Sequence, residues 1–296
     1  MDGWVRSPLA LLVFFFLSSL IYPVSCPAFR ATNASIWEPL IKHLIEDGED
    51  ETTIRGIFAR REVQFDPGVM PRKLSHKESE LDYSKFLRPE RLSRARAFLD
   101  THRKVLTRIE DEYGVPKEVE VAILLVETDL GRYLGSGRAF NILASMAAAT
   151  DIDSVKPWLS PELLKSAERE RLEKKLKDKS RWAYEELRAL LIYSRQNQID
   201  LLEIKGSIFG AIGLCQFMPS NALRFGIDQD HNGKIDLFSR ADALASMANY
   251  LRSHGWKDDL NRNEQEAVIL RYNYSFPYAG TVLDVAERLS GSNENR

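Results

Sequence analysis

From Pro116 to Gly131 the chain reads Pro-Lys-Glu-Val-Glu-Val-Ala-Ile-Leu-Leu-Val-Glu-Thr-Asp-Leu-Gly, and Val121 to Val126 are apolar without a break. A helix that is apolar all round has to be buried by other elements, and this one closes on a carboxylate, Glu127. Among Val121, Ala122, Ile123, Leu124, Leu125 and Val126 a carboxylate is expensive to ionise. Desolvation raises its pKa, so that it can hold a proton near neutral pH. A general acid needs that property to protonate a leaving oxygen. The plainer reading of the same residue is a Glu at a helix end that reaches water, since charged side chains are rarely fully buried unless paired.

At 296 residues the chain has room for one large domain or two small ones. Its net charge of -2 and scattered basic residues give no field for nucleic acid, and no nucleic-acid motif is present. The N-terminus differs from the rest. Arg6 precedes a 13-residue apolar run, Leu9 to Ile21, followed by Pro23 and the small residues Val24-Ser25-Cys26. A charged start, a short apolar stretch and a cleavage region make residues 1–26 a secretory signal, and the run is short of the ~20 residues of a membrane span. The expected location is the periplasm or cell envelope. Cleavage after Cys26 would leave Cys215 alone and no intramolecular disulfide. If Cys26 were the first mature residue it could carry lipid, but Pro23 stands where lipoprotein signals usually have Leu, so an outer-membrane lipoprotein is the lesser alternative. Without Cys pairs or His-x-x-x-His spacing among five His, zinc is not expected.

Residues 27–50 include a short helix, Ile36 to Ile45. Residues 51–88, rich in charge and Pro, read as an extended wrapping segment, so that 27–88 precede a domain spanning 89–290. From Pro89, apolar residues recur every three or four positions to Ile109. Tyr113-Gly114-Val115-Pro116 ends that helix and starts the next. Asn141 to Ala149 is a short apolar helix. Residues 151–181 form a charged helical insertion in which Leu163, Leu164, Leu172 and Leu176 make a thin stripe on a solvated helix. Further helices run over Trp182–Gln196, Ala241–His254, Glu264–Tyr272 and Thr281–Leu289, with long loops near 131–138, 204–215 and 226–240. Strand alternation is nearly absent.

Three motifs carry chemistry. Lys205 to Ser220 has glycines at 206, 210 and 213, then Gln216, whose amide both donates and accepts; alone, it reads equally as a turn between packed helices. Asp228-Gln-Asp230-His-Asn232-Gly233-Lys234-Ile-Asp236 matches the first half of a calcium loop, with oxygen donors at positions 1, 3 and 5, Gly at 6 and a carbonyl at 7. Position 12 is Ser239 rather than Glu, and Asp242, at position 15, is placed to supply the late carboxylate. The plain alternative is a solvated acidic turn. Arg271-Tyr272-Asn273-Tyr274-Ser275, with Tyr278 close behind, sets aromatic rings beside amide and hydroxyl groups, which suits a sugar, or equally a helix end with core tyrosines.

Taken in order, Val126-Glu127-Thr128-x-x-Gly131-Arg132, Gly206-Ser207-x-x-Gly210-Ala211-x-Gly213-x-x-Gln216-Phe217-Met218-Pro219-Ser220, the Asp-rich loop, Ala248-Asn249-Tyr250, His254-Gly255-Trp256 and Arg271-Tyr272-Asn273 resemble the lytic transglycosylase B family of bacterial cell-wall enzymes, over roughly Phe58 to Leu289. The resemblance implies a mainly α fold: a lysozyme-like catalytic core with additional helical lobes and a calcium-binding loop of EF-hand type. It implies cleavage of the β-1,4 bond between N-acetylmuramic acid and N-acetylglucosamine in peptidoglycan, with closure of a 1,6-anhydro ring. Glu127 falls on the family's single catalytic acid/base. Ser207, Gln216, Tyr272 and Asn273 fall on positions lining the sugar cleft. Asp228, Asp230, Asn232, Lys234 (through its carbonyl) and Asp242 fall on the calcium loop. No cofactor is expected for the chemistry, and a structural Ca2+ is. Partners would be glycan strands, with a monomer acting on them and a lipid anchor as the minor route to a membrane.

Three departures stand out. Cys215 sits where the family has Gly or another small residue, and its thiol would narrow the cleft or be open to oxidation. Asp129 follows the acid by two residues; pointing at Glu127 it would raise the acid's pKa, and pointing away it would do nothing. The charged segment 151–181 is longer than usual and would shape the cleft or dock a partner. Two alternatives remain: a hydrolytic muramidase, disfavoured by the lack of an obvious second acid, and a non-catalytic peptidoglycan-binding envelope protein.

Overall fold

A computed structural model describes residues 27–76, 81–159 and 169–291. The signal segment 1–26, with Cys26, and Leu163 and Leu164 lie outside the described residues. No helix among the described residues is long and apolar enough to cross a membrane.

The elements are almost all helical: α1 (Pro27–Glu46), α2 (Glu51–Phe58), α3 (Val69–Ser75), α4 (Pro89–Tyr113), α5 (Lys117–Thr128), α6 (Ala139–Ala148), α7 (Ile152–Val155), α8 (Arg169–Asn197), α9 (Pro219–Phe225), α10 (Arg240–Ser253), α11 (Arg262–Tyr272) and α12 (Phe276–Leu289). Strands β1 (Gly137–Arg138) and β2 (Lys205–Gly206) pair antiparallel, Gly137 opposite Gly206. Just before β1, Gly135 has φ 86°, and a Cβ there would meet the Gly206 carbonyl oxygen at 1.9 Å, so this loop has no room for a side chain.

The apolar helix sits where its composition requires. Val119 to Val126 are buried along α5, which is packed between α4, α10 and α12. Its start is local chemistry: Gly114 takes the left-handed conformation (φ 65°) that ends α4, and Pro116 holds φ at -57° ahead of α5. Around α6 a second group forms from α1, α3 and α8, and α8 also carries α9. Both groups join one apolar core running from Trp37 to Ala286.

Several boundaries differ from the expectations. The described residues of 51–88 are not an extended segment: they hold α2, α3 and a 3-10 turn at Ser84–Leu87. Asp50 caps α2 through Thr53, and the Phe58 ring packs at a tilt against Trp37 at 5.3 Å, so this segment helps build the core. From Arg169 the charged run and the helix after it are one 29-residue helix, α8, while 151–159 hold α7 and a 3-10 turn at Lys156–Trp158. The reason is a continuous stripe: Leu172, Leu176, Ala183, Leu187 and Leu190 are buried at three- and four-residue steps or their sums, while Arg171, Lys174, Lys177, Asp178 and Arg181 form the solvated face. Helix α12 starts five residues early, at Phe276, because Ser275 accepts from the Tyr278 N–H as its cap and Pro277 fits the first turn.

Candidate active site

The site begins at the last turn of α5. There Asp129 (φ 50°), Leu130 (φ 63°) and Gly131 (φ 88°) are left-handed in succession, a conformation that costs a residue with a Cβ roughly 1–2 kcal/mol. Tertiary bonds hold the turn. The Thr128 hydroxyl reaches the carbonyl of Leu214 at 3.1 Å and accepts the Gly131 N–H at 3.0 Å, which ties the end of α5 to the glycine-rich loop. Asp129, buried, turns away from Glu127 to Arg94 at 2.5 Å and Arg91 at 3.5 Å on α4. The carboxylate of Asp129 is thus paired with the cations of α4.

Glu127 is half-buried rather than enclosed. It opens on a cleft of about 580 Å3 walled by α3, the 3-10 turn, the Ser207–Met218 loop and the α11–α12 corner. The carboxyl that α5 encloses completely is Glu120, seven residues earlier on the same helix face. Glu127 Oε1 accepts a hydrogen bond of 2.7 Å from the hydroxyl of Tyr278. Tyr278 is fully buried, its ring edge-on to Tyr83 at 5.9 Å. Burial, and then the charge of Glu127, push the Tyr278 phenol well above its usual pKa, so it remains a proton donor to the carboxylate.

All four expected cleft residues line the same cavity as Glu127: Ser207, Gln216, Tyr272 and Asn273. Two of them have much of their capacity used by the loop. Ser207 Oγ accepts from the N–H groups of Ala211 (3.1 Å) and Phe209 (3.3 Å). Gln216, itself left-handed at φ 50°, donates its amide to Gly213 O at 2.8 Å. Gly213 has φ 74°, and a Cβ there would meet Leu237 at 2.5 Å, so this glycine is required for the close approach. The Tyr272 hydroxyl donates to the Cys215 carbonyl, and its ring packs on Phe217 and Tyr250. Burial, with the neighbouring Cys215 and Glu127, lifts this phenol well above its usual range as well. Tyr272 thus clamps the loop to the end of α11.

Cys215 does not line the cleft. It is fully buried, and burial pushes its thiol up to about 12, so the expected narrowing or ready oxidation is corrected: the side chain is core. Where α9 begins, Ser220 N–H and Oγ bond the buried carboxylate of Glu186 at 2.9 and 2.7 Å, which anchors the far end of the glycine-rich loop.

Sequence reasoning missed Lys73, His76, Asp82, Tyr83, Phe86 and Phe209, all on the cleft wall. The segment supplying the first five lay in the stretch read as extended. Asp82 is exposed and accepts from the backbone N–H (2.9 Å) and hydroxyl (2.6 Å) of Ser84. It is a second cleft carboxylate where none was expected. Tyr278 was visible as an aromatic following Tyr272, but its bond to a residue 151 positions away has no local signal.

The acidic loop also converges. Carboxylate oxygens of Asp228, Asp230 and Asp242 lie within 4.8 Å of one another. Asp228 takes the N–H groups of Asn232 (3.0 Å) and Gly233 (2.8 Å), and Asn232 Oδ1 takes that of Lys234 (2.9 Å). Asp242, fully buried on the first turn of α10, accepts from Gln229 (2.9 Å) and Asp236 (2.8 Å). Burial raises its carboxyl, and the charges of Asp230 and Asp228 add to this against those two hydrogen bonds. Three carboxylates drawn together are oxygen donors of the kind a hard cation takes. Backbone joins this loop to the cleft: Leu214 N–H bonds Leu237 O at 2.8 Å.

A family model described as Transglycosylase SLT domain matches residues 32–265. The chain is similar to the membrane-bound lytic murein transglycosylase B of Escherichia coli (strain K12), with 33% identity over 172 residues, 58% of this chain and 40% of that protein. The match therefore spans about two fifths of that relative's length. Among solved structures, the soluble lytic transglycosylase SltB1 from Pseudomonas aeruginosa superposes with a TM-score of 0.69 at 24% identity, covering 87% of this chain and 99% of that one. The Escherichia coli lytic transglycosylase Slt35 in complex with calcium superposes with a TM-score of 0.68 at 22% identity, covering 87% and 93%. These two likenesses establish the fold. Tyr272, Asn273 and Tyr278 lie beyond the residues matched by the family model.

Proposed function

The chain belongs to the transglycosylase SLT-domain family, and on that premise we propose that it is a lytic murein transglycosylase that cleaves the N-acetylmuramic acid–β-1,4–N-acetylglucosamine bond with Glu127 as its single acid/base. The observation that carries this reading is the Tyr278 hydroxyl bonded to Glu127 Oε1 in the cleft. With Oε1 occupied by a phenol that stays protonated, the transferable proton sits on Oε2. Glu127 gives that proton to the glycosidic oxygen as the bond to the anomeric carbon breaks. The substrate's own acetamido oxygen stabilises the electron-poor carbon, as in substrate-assisted glycosidases. The ionised Glu127, still held by Tyr278, takes the proton of the C6 hydroxyl, whose oxygen closes the 1,6-anhydro ring. Atoms balance without water or a cofactor. Ser207, Gln216 and Asn273 line the sugar cleft, while Tyr272 acts through the loop it clamps.

Asp228, Asp230, Asn232, the Lys234 carbonyl and Asp242 are the residues that would hold a structural Ca2+, which would offset the mutual repulsion of the three acids. The support is the convergence of the carboxylate oxygens of Asp228, Asp230 and Asp242. Export through residues 1–26 to the periplasm or envelope, action as a monomer and glycan strands as partner complete the reading.

Hydrolysis by the same cleft is the second reading, and Asp82 is the observation that favours it. Mass spectrometry of peptidoglycan digested by the mature protein separates the two. Muropeptides one water lighter than hydrolysis products, absent with Glu127→Gln, are the expected result. Products of full hydrolytic mass would assign a muramidase, and no products with calcium present would leave a binding protein.

A further inference from the structure

Arg91 stands in the first turn of α4, just after the 3-10 turn that walls the cleft. A cation there faces the positive end of the helix dipole, so its place needs another reason. Its guanidinium has two partners. It lies 3.5 Å from a carboxylate oxygen of Asp129 and 4.9 Å from the centroid of the Phe86 ring. Neutralising Asp129 does not require it. That buried carboxylate already has Arg94 at 2.5 Å, and one cation matches one carboxylate. What Arg91 adds is a link. Asp129 belongs to the turn that follows the acid, and Phe86 belongs to the cleft wall.

The same wall leads back to the acid. The Phe86 and Tyr83 rings lie 6.2 Å apart, Tyr83 meets Tyr278 edge-on at 5.9 Å, and the Tyr278 hydroxyl bonds Glu127 Oε1 at 2.7 Å. From Glu127 through Tyr278, Tyr83, Phe86 and Arg91 to Asp129, and by two residues of backbone to Glu127 again, the contacts form a closed circuit. Opened at any link, the turn that carries Glu127 and the wall beside its tyrosine shift independently. Closed, they move together. Tyr278 fixes one end of the acid's side chain and the turn fixes the other, and a reacting group has to be held to within about half an ångström. We propose that Arg91 is a positioning residue for Glu127, tying the Asp129 turn to the Phe86 wall and so closing the circuit that aims the acid. This rests on the reading of Glu127 as the acid and adds what holds it in place. Arg91 does not itself line the cavity; it acts through residues that do.

The test is steady-state kinetics on peptidoglycan beside thermal melts, for the wild type, Arg91→Met, Arg91→Lys, Phe86→Leu and the double variant Phe86→Leu/Arg91→Met. Methionine keeps an apolar stem and removes both links, lysine keeps a cation for each partner, and Asp129 retains Arg94 throughout. Arg91→Met should lower kcat about tenfold at unchanged KM, because only the aim of the acid in the transition state is lost, and Arg91→Lys should restore most of it. The double variant should be no slower than the slower single one, since both cut the same link. A kcat at the wild-type level with a lowered Tm overturns the proposal and leaves a structural ion pair. A raised KM at unchanged kcat overturns it as well, making Arg91 a binding residue, and so do losses that multiply in the double variant. Hydrogen exchange reads the circuit without turnover. The Phe86 N–H bonds Tyr83 O at 3.0 Å and the Leu130 N–H bonds Leu124 O at 3.1 Å. Arg91→Met, or Phe86→Leu if that variant does not fold, should speed exchange at both amides, and unchanged exchange at either overturns the proposal. A wild type without activity on peptidoglycan sinks the murein reading, while the exchange comparison still decides whether Arg91 ties turn to wall.

Discussion

Glu120→Met is expected to stabilise the protein at neutral pH. Glu120 is fully buried on α5, and neither carboxyl oxygen has a hydrogen-bond partner among the described residues. Burial pushes its pKa well above the usual carboxylate value; the charges of Glu110 and Glu118 add to this, and Lys117 opposes it weakly. A buried polar group left unsatisfied costs about 1–3 kcal/mol. Methionine has a similar length, an adaptable shape and a comparable helix propensity, so the substitution should recover about that amount. For a chain of this size each kcal/mol raises Tm by roughly 2–4 °C. The sign with pH follows from the raised pKa. The proton-linked stability of Glu120 is fully present below its unfolded pKa of about 4.3 and is lost as pH rises through the folded value. The advantage of Glu120→Met should therefore be smallest near pH 4, where only the cost of the unsatisfied neutral carboxyl remains, and widen toward pH 8. Thermal and denaturant melts of both proteins across that range measure it. A variant that melts lower at every pH, or a gap that does not widen, would refute the reasoning and mean that the carboxyl has a partner, such as a buried water.

Three further outcomes are expected. Tyr278→Phe should lower kcat by roughly ten- to a hundredfold, the loss of one hydrogen bond to a charged group, with little change in Tm; steady-state kinetics beside a melt separates this from misfolding. Calcium should raise the Tm of the wild type by linkage and leave that of Asp228→Ala nearly unmoved, so a wild-type melt indifferent to calcium and to chelator would remove the metal. Cys215, with its thiol pushed up to about 12 by burial, should resist alkylation at pH 8 in the folded protein and react once denatured, as thiol titration in each state would show.

Hydrogen bonds between near neighbours and three- to four-residue periodicity decided much of what could be read without a structure. Gly114 and Pro116 marked the break between α4 and α5, the glycines at 206, 210 and 213 marked a loop, and Asp228 to Gly233 marked a turn of oxygen donors. Helix existence was legible for the same reason, while ends set by distant packing were not. α2 and α3 lie in a short, Pro-rich, charged stretch whose helicity depends on the core it covers. The charge density of α8 concealed a stripe that continues from Leu172 to Leu190.

The chain by itself determined a buried helix, the acid at its end and three motifs in a fixed order, because each is a property of residues a few positions apart. Only tertiary structure decided what those residues meet. Tyr278 reaches Glu127 across 151 positions, Asp129 turns to Arg94, Cys215 goes into the core, and Lys73 lies between Phe209 and Trp182. Glu120 and Glu127 share one face of one helix, yet packing shuts the first away from water and opens the second to a cleft. What a side chain ionises against, donates to or is shielded from depends on which distant elements pack over it, and spacing along the chain carries no record of that.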